Sequence, residues 1–264
     1  MRAGPWLRHT PPMLTDPIFY AAALPAVVIL GLAKGGFSGI GILAVPLMAL
    51  VAPPVQAASI LLPILIVQDV VSVWAFRRTW DGPTLAVMLP GAALGIAGGW
   101  ALAAYVSSAA VELAVGVTSV AFALLRLAKE RGGAVVPAAP GSTAAGAFWG
   151  VVTGFTSQIA HAGGPPFQIH VMPKRLPRDV FIGTGALFFG VVNWLKVPAY
   201  LALDQFTAAN LATSAVLAPA AVLSTWAGVV LVRRVPGERF YTFVYAVLVL
   251  VGAKLAWDGA AGLA

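Results

Sequence analysis

Apolar residues in this chain neither alternate nor mark one stripe of otherwise polar helices. They come in long runs, separated by short polar or glycine- and proline-rich stretches. Ten segments can be read: 17–33, 36–52, 55–76, 83–105, 108–126, 143–160, 163–173, 179–202, 207–232 and 240–257. Most have the roughly 17 to 25 residues that a helix needs to cross about 30 Å of hydrocarbon. No water reaches backbone groups there, so a crossing segment satisfies them internally as a helix unless protein shields it. The absence of period-two alternation argues against a transmembrane barrel. The pattern predicts an all-α polytopic membrane protein. The second and seventh segments are short or rich in Gly and Pro, which marks them as half-helices or re-entrant pieces.

Composition agrees: of 264 residues, 60% are hydrophobic and 9% charged, against about a quarter charged in soluble domains. The net charge of +7 does not point to nucleic acid, because the basic residues lie in short connections. Arg77 and Arg78 mark one; Arg126, Lys129 and Arg131 a second; Lys174, Arg175 and Arg178 a third; Arg233, Arg234 and Arg239 a fourth. The connections PPVQ (53–56), YVSS (105–108), LDQFT (203–207) and WDGAA (257–261) carry none. The positive-inside rule places the basic set in the cytoplasm.

Between Arg131 and Ser142 the linker RGGAVVPAAPGS splits the chain. It defines an N-terminal segment 1–16, a first membrane repeat 17–130, a linker 131–142 and a second repeat 143–264. Each half holds a broken pair and then three full spans. Five segments per half force the halves to insert in opposite orientations, the inverted-repeat plan of many secondary transporters. At an offset of 123 residues Gly41 meets Gly164, Pro54 meets Pro177, Asp81 meets Asp204, and Thr84 meets Thr207. Arg2 and Arg8 would then lie outside, a conflict that disappears if an N-terminal segment does not span; eight to ten spans fit. The start, MRAGPWLRHTPPMLTD, does not read as a cleaved signal peptide.

The breaks concentrate the candidate chemistry. GLAKGGFSGIGILAVP (31–46) brings together Lys34, Gly35, Gly36, Ser38, Gly39 and Gly41. Two readings stay open: close helix packing on small residues, or an unwound segment whose N–H groups and helix N-terminus face an anion. TGFTSQIAHAGGPPFQIHVMP (153–173) brings Gln158, His161, Gly163, Gly164, Gln168 and His170, with His161 aligned to Ser38. Pro165 and Pro166 lack N–H donors and stop a regular helix. Irregular backbone at membrane depth must be buried in protein or line a wet cavity. The glutamines serve a solute or merely satisfy backbone carbonyls, and His170 reads as interfacial.

Asp69 and Lys196 sit deep in long spans, where ionisable residues are functional candidates by default. Lys196 has Asn193 on the same helix face, but lies near enough to a segment end to snorkel. Asp69 either pairs with a lysine or binds a proton or cation. Protonation of His161 or Asp69 would couple transport to protons. Glu112 and Lys254 read as interfacial, and Trp74, Trp80, Trp149, Trp194 and Trp257 as an aromatic belt.

The chain has no cysteine, which excludes disulfides and thiolate chemistry. There is no HExxH motif and no carboxylate near the histidines, so neither a metal nor any other cofactor is expected. An enzyme would need a nucleophile with its base; Ser157 near His161 is the nearest pair, and no enzymatic activity is expected. A cation or transition-metal permease is the alternative function and would want more intramembrane carboxylates. A non-transporting scaffold would leave the breaks buried and dry.

GGFSGIGILAVP, SQIAHAGGPPFQI and GTGALFFGVVNWLKVPAYLAL together resemble the TauE/SafE sulfite exporter family of bacterial membrane permeases, over nearly the whole chain from about residue 17. The resemblance implies a small-anion transporter for sulfite, sulfoacetate or related organosulfur anions, a multi-pass protein of the bacterial inner (plasma) membrane. It transfers no defined set of site residues. The expected partners are the anion and lipid, with no nucleic acid and with a homodimer left open. The physical reading places the anion where the two broken segments meet, on Lys34, Gly35, Gly36, Ser38, Gly39, Gly41, Gln158, His161, Gly163, Gly164, Gln168, Asn193 and Lys196.

Overall fold

The computed structural model describes residues 16–37, 39–103, 105, 107–132, 142–232, 234 and 238–263. These form ten α-helices: α1 (Pro17–Lys34), α2 (Ala44–Ala49), α3 (Pro54–Phe76), α4 (Gly82–Ala103), α5 (Ser108–Gly132), α6 (Thr143–Ala160), α7 (Gly164–Val171), α8 (Arg178–Ala202), α9 (Ala208–Val232) and α10 (Glu238–Leu263). A 3-10 turn, Ile40–Leu43, precedes α2, and another, Met172–Lys174, follows α7. Every segment read from the sequence therefore corresponds to an element. The two short ones are each a short helix joined to a 3-10 turn. One boundary moves: Arg126, Lys129 and Arg131, read as loop residues, belong to the last turns of α5, because the helix continues past the apolar run.

Local signals explain the helix starts. Asp16 accepts from Ile18 N–H (2.9 Å) with Pro17 at the first helical position, and Ser142 accepts from Ala145 N–H (3.1 Å); both satisfy donors that a helix N-terminus leaves free. Among the described residues, α1, α3, α4, α8 and α9 are long and apolar enough to cross a membrane. Pro25, Pro63, Pro90, Pro198 and Pro219 lie inside those helices, as membrane surroundings tolerate.

Glycine sets the helix pairing. A Cβ on Gly91 or Gly95 of α4 would lie 2.4 or 2.0 Å from the carbonyl oxygens of Ala147 or Val151 of α6. One on Gly150 or Gly154 would meet those of Met88 or Ala92 at 2.4 and 2.0 Å. Residue numbers rise together along this seam, so α4 and α6 run parallel. α1 lies parallel to α9 in the same way, Gly31 against Ser224 and Gly35 against Gly228. In contrast, α5 and α10 run antiparallel, with Gly116 beside Gly252 and Ala256 and Gly259 beside Leu113. α3 and α8 also run antiparallel, since Gly183 meets Thr79 and Gly190 meets Asp69. Such contacts on small residues replace the hydrophobic drive that lipid does not supply. Trp74, Trp80, Trp194 and Trp257 are exposed, which suits lipid or interface contact.

Candidate functional site

The two chain breaks are built differently. α1 stops at Lys34, where Gly35 N–H donates to Gly31 O (2.8 Å) and Phe37 N–H to Leu32 O (3.1 Å). Gly36 has φ 133° and Gly39 φ 103°, values that only glycine adopts without strain. α6 stops at Ala160, and His161 takes the left-handed conformation (φ 51°) that helix ends usually give to glycine. Its N–H donates to Ser157 O (3.1 Å) and Ala162 N–H to Thr156 O (3.2 Å). An imidazole is thus kept where glycine would fit more easily. Measured from these helix ends, His161 stands opposite Gly35 rather than Ser38.

Between the breaks lies a cavity of about 120 Å³, comparable in size to engineered cavities that admit small ligands. Of the predicted residues it is lined by Lys34, Gly39, Gly41, His161, Gly164, Gln168, Asn193 and Lys196. Gly35 and Gly36 do not line it: Gly35 packs on the Gly228 backbone and Gly36 faces Val232 and Ile182. Gly163 lies against Phe189, Ser157 and Thr153, and Gln158 against Gly99 of α4. Ser38 lies outside the described residues. A Cβ on Gly164, by contrast, would meet nothing within 4 Å among the described residues. Pro165 and Pro166 carry no N–H, and Phe167 N–H is taken by Gly163 O (3.2 Å), which leaves Gly164 as the donor of that first turn.

Charged and polar groups from four helices meet beside the cavity. Asp69 of α3 is buried and accepts from Lys34 Nζ (2.5 Å) and from Asn193 Nδ2 of α8 (2.6 Å). Of the two readings of Asp69, lysine pairing is the one seen. Ser72 Oγ donates to Lys34 O (2.8 Å), fixing the end of α1, and Lys34 Nζ lies over the Phe189 ring, 5.2 Å from its centre.

Lys196 does not snorkel. It is 0% exposed, and its ammonium donates to His161 Nδ1 (2.7 Å), Ser157 Oγ (3.2 Å) and Ser157 O (3.3 Å). His161 Nε2 lies 2.9 Å from Ala58 O. A carbonyl only accepts, so Nε2 carries the hydrogen and Nδ1 presents its lone pair to Lys196. The ring stacks on Tyr200, with centres 6.2 Å apart. Gln168 Oε1 is buried without a partner among the described residues.

His170, read as interfacial, is buried and packs near Gly146. Lys254 pairs with Asp258 on the exposed face of α10, away from the cavity. The side chain of Glu112 lies outside the described residues. Sequence reasoning missed Ser72 and Ala58, which act through an end-of-helix carbonyl and a backbone acceptor. Ser157, named in the sequence only as the nearest nucleophile and left out of the anion site, could have been found there, since it lies four residues before His161. It serves Lys196 as an acceptor.

A helical membrane protein with broken segments around a buried, charged cavity belongs to the class of membrane transporters. More narrowly, the chain belongs to the sulfite exporter TauE/SafE family, whose family model matches residues 23–255. That family consists of transporters rather than enzymes. Neither the curated proteins nor the solved structures gave a match to the chain.

Proposed function

We propose that this protein carries a small anion, sulfite or a related organosulfur anion, outward across the bacterial inner membrane by alternating access between two inverted halves. One observation carries the reading. Two lysines, Lys34 and Lys196, border a cavity beside which Asp69 is the one carboxylate among the described residues, and an anion supplies the missing negative charge. A cation permease is disfavoured by the same pair, because two ammoniums repel a cation.

The inverted relation is supported by helix direction. An axis in the membrane plane exchanges α1 with α6, α3 with α8, α4 with α9 and α5 with α10. It requires exchanged helices that touch to run antiparallel, as α3 and α8, and α5 and α10, do. It also pairs the parallel contact of α4 on α6 with that of α1 on α9. Counted from Pro54 and Arg178, Asp69 and Asn193 are each the sixteenth residue of their helices, and they bond to one another. Ser72 and Lys196 are each the nineteenth, and each bonds a carbonyl at the end of the preceding broken helix, Lys34 O or Ser157 O.

Purified protein in liposomes tests the function. Labelled sulfite should exchange across the bilayer in a protein-dependent way and divalent cations should not. Lys196→Gln should abolish the exchange. Exchange of cations without anions would overturn the proposal.

A further inference from the structure

The charges beside the cavity can be counted. Asp69 neutralises Lys34 at 2.5 Å, and its second oxygen is taken by Asn193. Lys196 has three acceptors for its three N–H groups, all neutral, and no carboxylate. His161 adds no charge: with Nε2–H directed at Ala58 O, a second proton on Nδ1 would point at the Lys196 ammonium from 2.7 Å. With one extra proton held between them, on either nitrogen, the His161–Lys196 pair carries a single positive charge. Of the other elements that line the cavity, α7 carries only His170, which packs near Gly146 and does not line the cavity, and His161 is the only ionisable residue in α6 and its cap. With that proton in place, the described residues beside the cavity carry one positive charge in excess.

Resting on the anion-transport reading, we infer that the cavity is charge-matched to a singly charged oxyanion, with Lys196 setting the valence and Asp69 removing Lys34 from the count. A monoanion leaves the loaded site neutral; a dianion leaves one negative charge unmatched away from water, which is costly. Within the proposed substrates this selects hydrogen sulfite and simple sulfonates over the sulfite dianion and over sulfoacetate, which carries a carboxylate as well as a sulfonate. It also assigns Asp69 a role in specificity. The carboxylate is an internal anion that keeps Lys34 from recruiting a second charge.

Methanesulfonate and sulfate test this, because a methyl group replaces one oxygen on the same tetrahedral sulfur and the main difference is charge. Each is tested as a competitor of labelled sulfite exchange in proteoliposomes. For the wild type, methanesulfonate should compete better than sulfate by at least about tenfold, given the size of a unit charge interaction at these distances. Asp69→Asn frees Lys34 and should erase or invert that ratio. The double variant Lys34→Gln with Asp69→Asn returns the count to one and should restore the wild-type ratio.

Equal or better competition by sulfate in the wild type overturns the inference, as does an unchanged ratio in Asp69→Asn. If that variant does not fold, the wild type and the double variant decide alone, and a sulfate preference in either overturns it. No protein-dependent sulfite exchange at all is a different failure, that of the transport reading.

Discussion

The parallel seam between α4 and α6 makes a quantitative prediction. In Gly154→Ala the new Cβ would lie 2.0 Å from Ala92 O and 2.7 Å from Ala92 C and Cα. The obstacle is backbone on a helix and cannot rotate away. Ordinary contact begins at 3.4 Å, so the helices must part by more than an ångström at that level. Gly91, Gly95 and Gly150 make equally close approaches along the same seam, so they lose contact together. Overpacking costs about 1–3 kcal/mol, and each weakened Cα–H···O contact adds about 0.5–1 kcal/mol. The expected loss is about 2–5 kcal/mol. Gly98→Ala on α4 is the control: its Cβ would meet nothing within 4 Å, and the better helix former should gain up to about 1 kcal/mol. Thermal unfolding in detergent reads both. A Gly154→Ala variant as stable as wild type, or less harmed than Gly98→Ala, refutes the account of what holds α6, and with it Ser157 and His161, in place.

Four further outcomes follow from the site and the repeat. Sulfite exchange should fall as pH rises through the second ionisation of hydrogen sulfite, while methanesulfonate exchange does not follow that curve; sulfite exchange that rises with pH contradicts the monoanion count. Gly164→Leu, whose side chain would project into open cavity, should abolish exchange without lowering the melting temperature. Gly39→Ala at φ 103° should lower it instead, because the new side chain adds about 1–2 kcal/mol of backbone strain. The chain contains no cysteine, so Val55→Cys and Asp179→Cys report cleanly on sidedness. Each is the second residue of α3 or α8, and an impermeant thiol reagent should reach them from opposite faces; labelling from one face refutes the inversion.

The helices were legible because lipid leaves a chain few options: an apolar run of spanning length, ended by polar or proline-rich residues, has one stable form. The site was legible only in part, for a reason the glycines make plain. Gly35 and Gly164 give the same signal in the sequence, a small residue at a break. Yet Gly35 meets the backbone of Gly228, almost two hundred positions along the chain, while Gly164 faces open cavity. Which role a glycine plays is decided by the helix opposite, and spacing along one segment carries no record of that helix. Within the first break itself, Gly35 packs on a neighbouring helix while Gly39 and Gly41 line the cavity. The same holds for charge. Lys196 lies six residues from the end of α8, near enough to reach an interface, and it stays buried because Ser157 and His161 arrive from α6 with acceptors. Its partners come from a helix that ends where glycine would be the easier residue. The strained His161 backbone and the buried lysine are two sides of one arrangement, because the conformation that ends α6 also brings Nδ1 to the ammonium.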